Sequence, residues 1–301
     1  MENKLIKSGF VSLIGRSNVG KSTFLNSFLG RKISIVSDKP QTTRVQIVGI
    51  YTEEKGQIIF LDNPGIHKPL HKLNQSMMEY VYNALEESDI ILFLIDITQK
   101  FGKGDEFALN LLKKYKKTKF LLINKLDIVT KSKALPIIEK FKDSGIFDEI
   151  IPISALKAMN FDLINKKIFD YLPEGPLFYP ADSVTTTRRK FFISEIIREK
   201  ILLLTHDELP FSVAVLVKDI EQRENGVLYI SADIYVEKDS QKAIIIGKKG
   251  SMITRIGKLA RKELSFLTDK KIYLDLYVKV KERWRDSMTV LSQINKQMGE
   301  D

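Results

Sequence analysis

The stretch GRSNVGKST, residues 15–23, decides the fold, because it matches the pattern GxxxxGK(S/T) of a phosphate-binding loop. It follows the apolar residues 10–14 (FVSLI), which predict a buried strand, and it precedes residues 24–29 (FLNSFL), which predict an amphipathic helix. Strand, glycine-rich loop and helix in this order are the context that the motif requires. The sequence therefore predicts a nucleotide-phosphate site at the start of an α/β domain.

The residue types in this loop supply the chemistry that a phosphate needs. Gly15 and Gly20 let the backbone turn and come close to the anion, towards which the loop amides and the helix N-terminus point. Lys21 contributes a positive charge to the outer phosphates, and Ser22 offers its hydroxyl to a magnesium ion. The loop residues predicted to bind the nucleotide are Gly15, Arg16, Ser17, Asn18, Val19, Gly20, Lys21, Ser22 and Thr23.

Composition narrows the class of protein. With 301 residues, 44% hydrophobic and 29% charged, the chain is long enough for two globular domains. The absence of cysteine excludes disulfides, thiolate zinc sites and cysteine nucleophiles, and three histidines leave little for a histidine metal site. We therefore expect any bound metal to have oxygen ligands. No apolar run approaches the roughly 18 residues that span a bilayer and the first residues lack a signal-peptide pattern, so we expect a cytoplasmic protein.

The positive charge of the chain is concentrated in one segment. The net charge is +10, and residues 242–285 carry 13 Lys and Arg against 4 Asp and Glu. Such a segment is typical of a surface that meets nucleic acid or an anionic membrane.

Beyond the phosphate loop, predicted strands and helices alternate as far as residue 171. The strands are predicted at residues 45–51, 57–61, 90–95, 119–123 and 149–153, and the helices at residues 70–86, 105–115, 132–141 and 160–171. The turn residues 53–56 (EEKG) between the first two of these strands indicate a hairpin. The pattern predicts a doubly wound, mixed sheet with its ligands at the C-terminal ends of the strands.

The motif DNPG, residues 62–65, ends one of these strands. At that place Asp62 can hold magnesium, and the amide of Gly65 can reach a terminal phosphate. The tetrapeptide alone is a weak signal, because turns are rich in these residue types. Its position after the phosphate loop is what supports the prediction.

The motif NKLD, residues 124–127, follows the strand predicted at residues 119–123 and indicates a guanine site. Asp127 can accept two hydrogen bonds from the ring and exocyclic N–H groups of guanine, a donor pair that adenine lacks. Asn124 can tie this segment to the phosphate loop, and Lys125 can lay its aliphatic stem along the purine.

The turn SAL, residues 154–156, follows the last strand, and there the amide of Ala155 can donate to the guanine carbonyl. The predicted base-binding residues are Asn124, Lys125, Asp127, Ser154, Ala155 and Leu156. Together, GRSNVGKS, the pair Thr42-Thr43, DNPG, NKLD and SAL resemble the five nucleotide-contacting motifs of translation-factor-like small GTPases. Among these GTPases, the sequences of the five motifs most resemble those of the Era family. The resemblance implies an α/β P-loop GTPase domain that binds GTP, GDP and Mg2+.

The resemblance also assigns metal and catalytic residues. In that family one of the paired threonines closes on the magnesium when GTP is bound, and spacing does not decide between Thr42 and Thr43. The metal ligands so predicted are Ser22, Thr42, Thr43 and Asp62, and the catalytic residues are Asn18, Lys21, Thr42, Thr43 and Gly65. Asn63 departs from the family, in which threonine is commoner at this position.

The position after DNPG lacks a polar side chain. Ras-like enzymes orient the attacking water with a glutamine there, whereas Ile66 can neither accept nor donate a hydrogen bond. In relatives of the Era family, an asparagine in the phosphate loop helps to hold a potassium ion in place of an arginine finger, and Asn18 stands at the matching position. The resemblance therefore predicts hydrolysis that potassium stimulates. The alternative is that Asn18 is an ordinary loop residue that caps or turns.

A proline-rich stretch, PEGPLFYP at residues 173–180, breaks the helical pattern and predicts a stiff linker. We predict a first domain at residues 1–174, a linker at 175–185 and a second domain at 186–301. The second domain is predicted to have a helix at 189–204, strands at 211–219 and 227–236, a short helical turn before residue 247, a helix at 252–267, a strand at 271–281 and a helix from 284.

The second domain carries the sequence IIIGKKGSMI, residues 244–253. A short apolar helical turn, a GxxG loop and an amphipathic helix resemble an α+β KH domain of type II, whose loop clamps the backbone of about four single-stranded nucleotides. The glycines allow close approach, and the lysines supply charge. The predicted RNA-binding residues are Ile246, Gly247, Lys248, Lys249, Gly250, Arg255 and Lys258. The alternative is a small α+β domain with a basic face.

A GTPase domain followed by a KH-like domain is the Era arrangement. It implies binding to the 3′ end of 16S ribosomal RNA and a role in assembling the small ribosomal subunit, and peripheral contact with the inner face of the cell membrane is a theme of the family. We expect a monomer. Two alternatives stay open: an RNA chaperone with a structural nucleotide site, and a membrane-surface regulatory GTPase whose basic segment meets lipid phosphates.

Overall fold

The structure is a computed structural model that describes residues 6–67, 71–206, 209–224 and 226–299, with Lys131 and Met298 described by their backbone alone. The chain divides into two compact units. The first contains residues 1–70 and 74–186, and the second contains residues 71–73 and 187–301. Within the described residues, no helix has the length and hydropathy to cross a membrane.

The chain up to residue 186 builds one six-stranded sheet with helices in its crossovers. Its elements are β1 Lys7–Ile14, α1 Lys21–Leu29, β2 Ile47–Glu53, β3 Gly56–Asp62, α2 Lys72–Glu87, β4 Ile90–Asp96, α3 Lys103–Leu112, β5 Thr118–Asn124, α4 Leu135–Lys142, β6 Glu149–Pro152 and α5 Phe161–Tyr171. The strand order is β2-β3-β1-β4-β5-β6, with β2 antiparallel to β3 and the other pairs parallel. The predicted mixed, doubly wound sheet is confirmed.

The topology brings the predicted motifs to one edge of the sheet. Strands β1, β3, β4, β5 and β6 are parallel, so their C-terminal ends lie on the same side. Strand β4 (IILFLID) is buried at every residue, as expected for a strand covered on both faces. The phosphate loop, DNPG, NKLD and SAL each follow one of these ends.

Helix boundaries of this unit differ from the sequence prediction by a few residues, and the helix predicted at residues 105–115 is observed at Lys103–Leu112. The helix predicted at residues 132–141 begins instead with a 3-10 turn, Lys131–Ala134, and becomes α-helical at Leu135. Pro136 explains the change, because proline is tolerated in the first turn of an α-helix and breaks its interior. The helix predicted from residue 70 starts at Lys72, and residue 70 itself lies outside the described residues.

The segment predicted as a linker is hydrogen-bonded to the first unit. The side chain of Gln57 accepts from the amides of Phe178 and Tyr179 at 2.9 and 3.0 Å and donates to the Tyr179 carbonyl at 2.9 Å. Further along, Thr185 forms an antiparallel bridge with Gly49 on β2. These bonds fix the backbone at both ends of residues 178–185 to strands β3 and β2 of the sheet.

The second unit is a three-stranded sheet with four described helices. Its elements are α6 Arg189–Leu204, β7 Ala214–Gln222, β8 Leu228–Val236, α7 Asp239–Ile246, α8 Ser251–Thr268, β9 Ile272–Val280 and α9 Met288–Met298. The sheet order is β7-β8-β9, with an antiparallel first pair and a parallel second pair. The predicted α+β order of elements is confirmed.

Two elements of this unit were predicted with wrong boundaries, and the strand predicted at residues 211–219 also ends later, at Gln222. The strand predicted from residue 211 starts at Ala214, because a 3-10 turn, Leu209–Ser212, precedes it. The helix predicted from residue 284 starts at Met288, after a 3-10 turn that contains Trp284. Trp284 is 0% exposed, and its indole N–H donates to the carbonyl of Ser212 at 2.7 Å. The buried indole therefore packs within the second unit.

Candidate nucleotide and nucleic-acid sites

The phosphate loop has two positions that only glycine can fill. At Gly15, with φ 153°, a Cβ atom would lie 2.4 Å from the carbonyl oxygen of Leu94. At Gly20, with φ 100°, it would lie 2.3 Å from the side-chain nitrogen of Asn124. Both conformations are rarely adopted by other residues. The glycines therefore let the loop pass directly against β4 and the NKLD segment.

Lys21 lies at the centre of the loop. It is 5% exposed, and its Nζ donates to the carbonyl oxygens of Gly15 at 3.1 Å and Arg16 at 2.8 Å. Burial lowers the pKa of Lys21 to about 8, and the nearby charge of Asp62 opposes this shift. A cation held among loop carbonyls in this way can exchange them for phosphate oxygens.

A cluster of oxygen atoms lies beside the loop. Asp62 is 0% exposed, and its Oδ2 accepts from the hydroxyls of Ser22 at 2.6 Å and Ser34 at 3.0 Å. Burial raises the pKa of the Asp62 carboxyl, and these bonds together with Lys21 oppose the rise. The second oxygen of Asp62, Oδ1, is buried without a hydrogen-bond partner. An all-oxygen cluster with an unpartnered buried carboxylate oxygen fits Mg2+, which prefers oxygen ligands.

The cluster contains one of the two paired threonines. Oγ1 of Thr43 lies 2.9 Å from Oγ of Ser22, whereas Oγ1 of Thr42 donates to the carbonyl of Lys39 at 2.6 Å. Of the four predicted metal ligands, Ser22, Thr43 and Asp62 are therefore brought together. Ser34 belongs to the same cluster and was missed, because a single serine in a loop carries no motif.

The DNPG segment packs against the phosphate loop. A Cβ atom at Gly65 would lie 2.6 Å from the amide nitrogen of Ser17, so the two backbones are in contact. The amide of Ile66 donates to the Gly15 carbonyl at 3.1 Å, and its side chain is 5% exposed. Asn63 is buried and donates to the Leu61 carbonyl at 2.9 Å, which gives it a structural role.

Asn124 connects the NKLD, SAL and phosphate loops. Its Nδ2 donates to the carbonyl of Val19 at 2.7 Å, and its Oδ1 accepts from the amide of Ala155 at 2.9 Å. The first bond is the one predicted from the sequence. The second means that the Ala155 amide, predicted to face guanine, is hydrogen-bonded within the protein. Ser154 donates through its hydroxyl to Oδ1 of Asp127 at 2.6 Å and so orients that exposed carboxylate.

Lys125 has a partner that the sequence analysis missed. Its backbone is left-handed, with φ 69°, and its Nζ donates to Oδ2 of Asp96 at 2.6 Å. Burial works against the charge of Asp96, but hydrogen bonds from Lys125 and Thr98 outweigh it and lower the Asp96 pKa. The available signal was an acidic residue at the end of an otherwise apolar strand.

The phosphate loop, most of residues 35–43 and single residues of the neighbouring loops line a cleft of about 390 Å³. Predicted residues that line it are Ser17, Asn18, Gly20, Lys21, Ser22, Thr23, Thr42, Thr43, Gly65 and Lys125, and further lining residues are Ile35, Val36, Ser37, Asp38, Gln41 and Gln99. Arg16 does not line this cleft, and its Nη1 donates to Oδ2 of Asp105 at 2.9 Å. Asn18 has a left-handed backbone, with φ 64°, and its Nδ2 donates to the carbonyl of Asp38 at 2.5 Å. Leu156 is exposed outside the lining.

The GKKG loop of the second unit, residues 247–250, joins α7 to α8. Gly247 and Gly250 have φ 72° and 78°, and a Cβ atom at Gly247 would lie 2.7 Å from Cβ of Met252. Lys249 is also left-handed, with φ 51°. This tight turn ends at the N-terminus of α8, where helix amides favour an anion.

The predicted RNA-binding side chains are mostly exposed around this loop. Lys248 and Lys249 are exposed in the turn itself, and Ile246 before it is half-buried. Arg255 and Lys258 are exposed on α8 and, three residues apart, lie on the same face of the helix. The loop and the first turns of α8 therefore present a basic surface.

Comparison with protein-family models finds one match in each unit. Residues 10–125 match a family described as 50S ribosome-binding GTPase, and residues 208–285 match the KH domain. These matches agree with a P-loop GTPase domain that is followed by a KH domain.

Individual relatives match nearly the whole chain. GTPase Era of Halothermothrix orenii is 47% identical over 280 residues, which cover 93% of this chain and 95% of the relative. A crystal structure of Era in complex with MgGDPNP and nucleotides 1506–1542 of 16S ribosomal RNA has a TM-score of 0.92 and 40% identity, and the match covers 98% of this chain and 99% of that one. An Aquifex aeolicus Era variant bound to GDP and AlF4− has a TM-score of 0.90, 39% identity and the same coverage. The chain therefore belongs to the Era family of GTPases.

Proposed function

We propose that this GTPase is a nucleotide-controlled RNA-binding switch, which binds the 3′ end of 16S ribosomal RNA and acts in assembly of the small ribosomal subunit. The observation that carries the proposal is one chain with both a magnesium-compatible phosphate cleft and a basic GKKG turn at a helix N-terminus. The 40%-identical Era structure in complex with a 16S ribosomal RNA segment supports the choice of RNA.

In the first unit, the nucleotide phosphates are bound by the loop of residues 15–23 and by the ammonium group of Lys21. Guanine is selected by Asp127, which Ser154 orients, while Asn124 holds the phosphate loop beside it. The Ala155 amide has to exchange its bond with Asn124 if it is to donate to guanine.

The resident metal in this proposal is Mg2+, held by the hydroxyls of Ser22 and Thr43 and by the Asp62 carboxylate. Their grouping, and the buried Oδ1 of Asp62 without a partner, support the assignment. Mg2+ bound there neutralises charge on the phosphate oxygens. Thr43 is preferred to Thr42 as a ligand, because the Thr43 hydroxyl lies 2.9 Å from that of Ser22, whereas the Thr42 hydroxyl is directed to the Lys39 carbonyl.

Hydrolysis in this proposal also uses potassium. Ile66 has no polar atom in its side chain and is buried, so it does not orient the attacking water. The amide nitrogen of Asn18 is occupied by the Asp38 carbonyl, which leaves Oδ1 as the atom suited to a cation. Asn18 is the residue that we assign to potassium.

In the second unit, single-stranded RNA is bound by the GKKG loop and the start of α8. Lys248, Lys249, Arg255 and Lys258 supply charge to the phosphodiester backbone, and Gly247 and Gly250 let the chain approach it. The basic surface also suits lipid phosphates, so peripheral contact with the inner face of the cell membrane remains part of the proposal, as do a cytoplasmic location and a monomeric state.

The test compares GTP hydrolysis, in potassium buffer with magnesium, with and without a short single-stranded RNA that ends in the small-subunit ribosomal 3′ sequence. We expect the RNA to change the turnover rate and to bind with an affinity that depends on the bound nucleotide. Turnover that is indifferent to this RNA would overturn the coupling of the two units.

A double variant identifies the RNA surface. Lys248→Ala with Lys249→Ala should weaken RNA binding and reduce the salt dependence, with about 0.7 lost from the logarithmic slope for each phosphate contact removed. The matched control is Lys113→Ala with Lys114→Ala, which removes the same charge from exposed positions near the end of α3. Loss of liposome binding with intact RNA binding would favour the membrane alternative.

A further inference from the structure

His67, two residues after DNPG, has a defined pair of hydrogen-bond partners. Its Nδ1 lies 2.7 Å from the carbonyl oxygen of Gly65, and its Nε2 lies 2.6 Å from the side-chain nitrogen of Asn74. Asn74 lies in the first turns of α2 and is 5% exposed. One imidazole ring therefore links α2 to the backbone of the DNPG segment.

The hydrogen-bond partners of His67 define which ring nitrogen carries the proton. A backbone carbonyl only accepts hydrogen bonds, so Nδ1 of His67 carries the proton and donates to Gly65. In the neutral ring Nε2 then accepts, and the amide nitrogen of Asn74 donates to it. Both ring nitrogens of His67 therefore have a hydrogen-bond partner in this arrangement.

The peptide between Gly65 and Ile66 is consequently held at both of its polar atoms. Its N–H, on Ile66, donates to the Gly15 carbonyl at 3.1 Å, and its C=O, on Gly65, accepts from His67. The Cα atom of Gly65 meanwhile lies against Ser17 of the phosphate loop. Fixing this peptide plane limits the rotation of Gly65, which is the glycine assigned to the terminal phosphate.

We infer that His67 and Asn74 are positioning residues for GTP hydrolysis, which hold the Gly65–Ile66 peptide against the phosphate loop. The inference rests on the proposed role of Gly65. The pair acts through the backbone and leaves the contact with phosphate to Gly65. Through this pair, α2 is connected with the segment assigned to the terminal phosphate. Ile66, the residue that follows Gly65, has no polar atom in its side chain and cannot take this role.

The experiment measures single-turnover GTP hydrolysis at saturating nucleotide, together with GDP affinity, for His67→Ala and Asn74→Ala. We expect each variant to lower the hydrolysis rate by about 5- to 20-fold, the change expected for one to two hydrogen bonds lost from the transition state. GDP affinity should stay within about twofold, because GDP lacks the terminal phosphate. The double variant should lose little more than either single one, since both act through one linkage.

Two conservative substitutions separate positioning from packing. Asparagine at position 67 places an amide nitrogen near the site of Nδ1 and can still donate to Gly65, whereas glutamine places its polar atoms near Nε2 and cannot. His67→Asn should therefore retain more activity than His67→Gln, although glutamine is closer to histidine in size. Equal rates for these two variants would count against the inference.

Controls distinguish failure of this inference from failure of the proposed function. His206→Ala and Asn83→Ala remove the same residue types from exposed positions and should hydrolyse GTP at the parent rate. If the unaltered protein hydrolyses GTP and the His67 and Asn74 variants match it, the inference is wrong and the proposed function stands. If the unaltered protein shows no turnover, the proposed function itself has failed. A parallel loss of GDP affinity and thermal stability in these variants would assign the pair to structure alone.

Discussion

Asn124 donates a hydrogen bond through its side-chain amide to the carbonyl oxygen of Val19, at 2.7 Å. The bond joins the end of β5 to the phosphate loop across 105 positions of sequence, and it is buried. The same side chain accepts from the Ala155 amide. One residue therefore connects the phosphate loop, the NKLD segment and the SAL turn.

Replacing Asn124 with alanine should weaken the binding of GDP and GTP alike. The Val19 carbonyl and the Ala155 amide would both lose a buried hydrogen-bond partner. Each unsatisfied buried group costs about 1–3 kcal/mol of free energy. Nucleotide titration with a fluorescent GDP, together with thermal unfolding, measures the effect. Asn83→Ala, on the exposed side of α2, is the control. An unchanged GDP affinity would contradict the framing role of Asn124.

The Asp62 carboxyl should make the ligand-free protein more stable as the pH falls. Burial raises the pKa of this group above its ordinary value of 3.8, so its folded form binds a proton more tightly than its unfolded form. The resulting stabilisation is fully present below pH 3.8 and is lost as the pH rises through the folded pKa. Chemical denaturation between pH 4 and 8, without metal or nucleotide, should show this trend in the parent protein relative to Asp62→Asn.

Without ligand, Asp62→Asn should be more stable than the parent protein at neutral pH, and magnesium with nucleotide should reverse this order. Metal and nucleotide bound to the folded state stabilise it by mass action, and the parent protein keeps the carboxylate that holds the metal. Melting temperatures with GDP should therefore rise on addition of magnesium in the parent and change little in Asp62→Asn. The same rise in both would remove Asp62 from the metal site.

Lys21 should make GDP affinity dependent on pH near pH 8. Burial lowers its pKa to about 8 in the free protein, and a phosphate prefers the protonated form. Above that pH, binding has to take up a proton, so affinity should fall towards a limiting slope of about tenfold per pH unit. Calorimetry in buffers of different ionisation enthalpy, below the range where guanine itself loses a proton, measures the uptake. No proton uptake at pH 8.5 would contradict the assignment.

The two adjacent threonines offer a matched comparison. Thr43→Ala should reduce magnesium-dependent GTP hydrolysis by at least about tenfold, because it removes a hydroxyl from the oxygen cluster. Thr42→Ala removes a hydroxyl that donates to the Lys39 carbonyl and should have the smaller effect. Hydrolysis rates over a magnesium titration decide between them. A larger loss at Thr42 would overturn the assignment.

Potassium should accelerate hydrolysis relative to sodium, and Asn18 should be needed for the difference. Its Oδ1 is the polar side-chain atom left after Nδ2 has bonded to the Asp38 carbonyl. Turnover in the two chloride salts at equal ionic strength, for the parent and for Asn18→Ala, tests this. Equal rates in both salts for the parent would exclude potassium from the mechanism.

Much of the fold could be predicted because its signals are local. The alternation of apolar strands and amphipathic helices indicated the sheet, and the turn at residues 53–56 indicated the antiparallel hairpin of β2 and β3. Helix and strand ends were less accurate, as at Leu135 and Ala214, where 3-10 turns precede the regular element. Such turns depend on packing and leave a weak pattern in the sequence.

The site residues also divide into those that local sequence could predict and those that only packing brings together. Motif order alone placed Lys21, Asp62 and Asn124 at one edge of the sheet, because parallel strands end on the same side. Periodicity contains no information on which of the two neighbouring threonine hydroxyls contacts Ser22, nor on the partner of Lys125. Those pairs lie 21 to 40 positions apart in sequence and meet only once the sheet has formed.

By itself, the sequence determined the α/β class and the KH-like domain and predicted the nucleotide and RNA loops, since glycine spacing and hydrophobic periodicity are properties of short segments. Only the tertiary structure decided that Thr43 rather than Thr42 joins Ser22 and Asp62, that Asp96 holds Lys125, and that His67 bonds to Asn74. It also decided that residues 178–185 are hydrogen-bonded to the first unit. The physical reason is that hydrogen bonds between distant residues depend on side-chain direction and burial, which are set when the elements pack together.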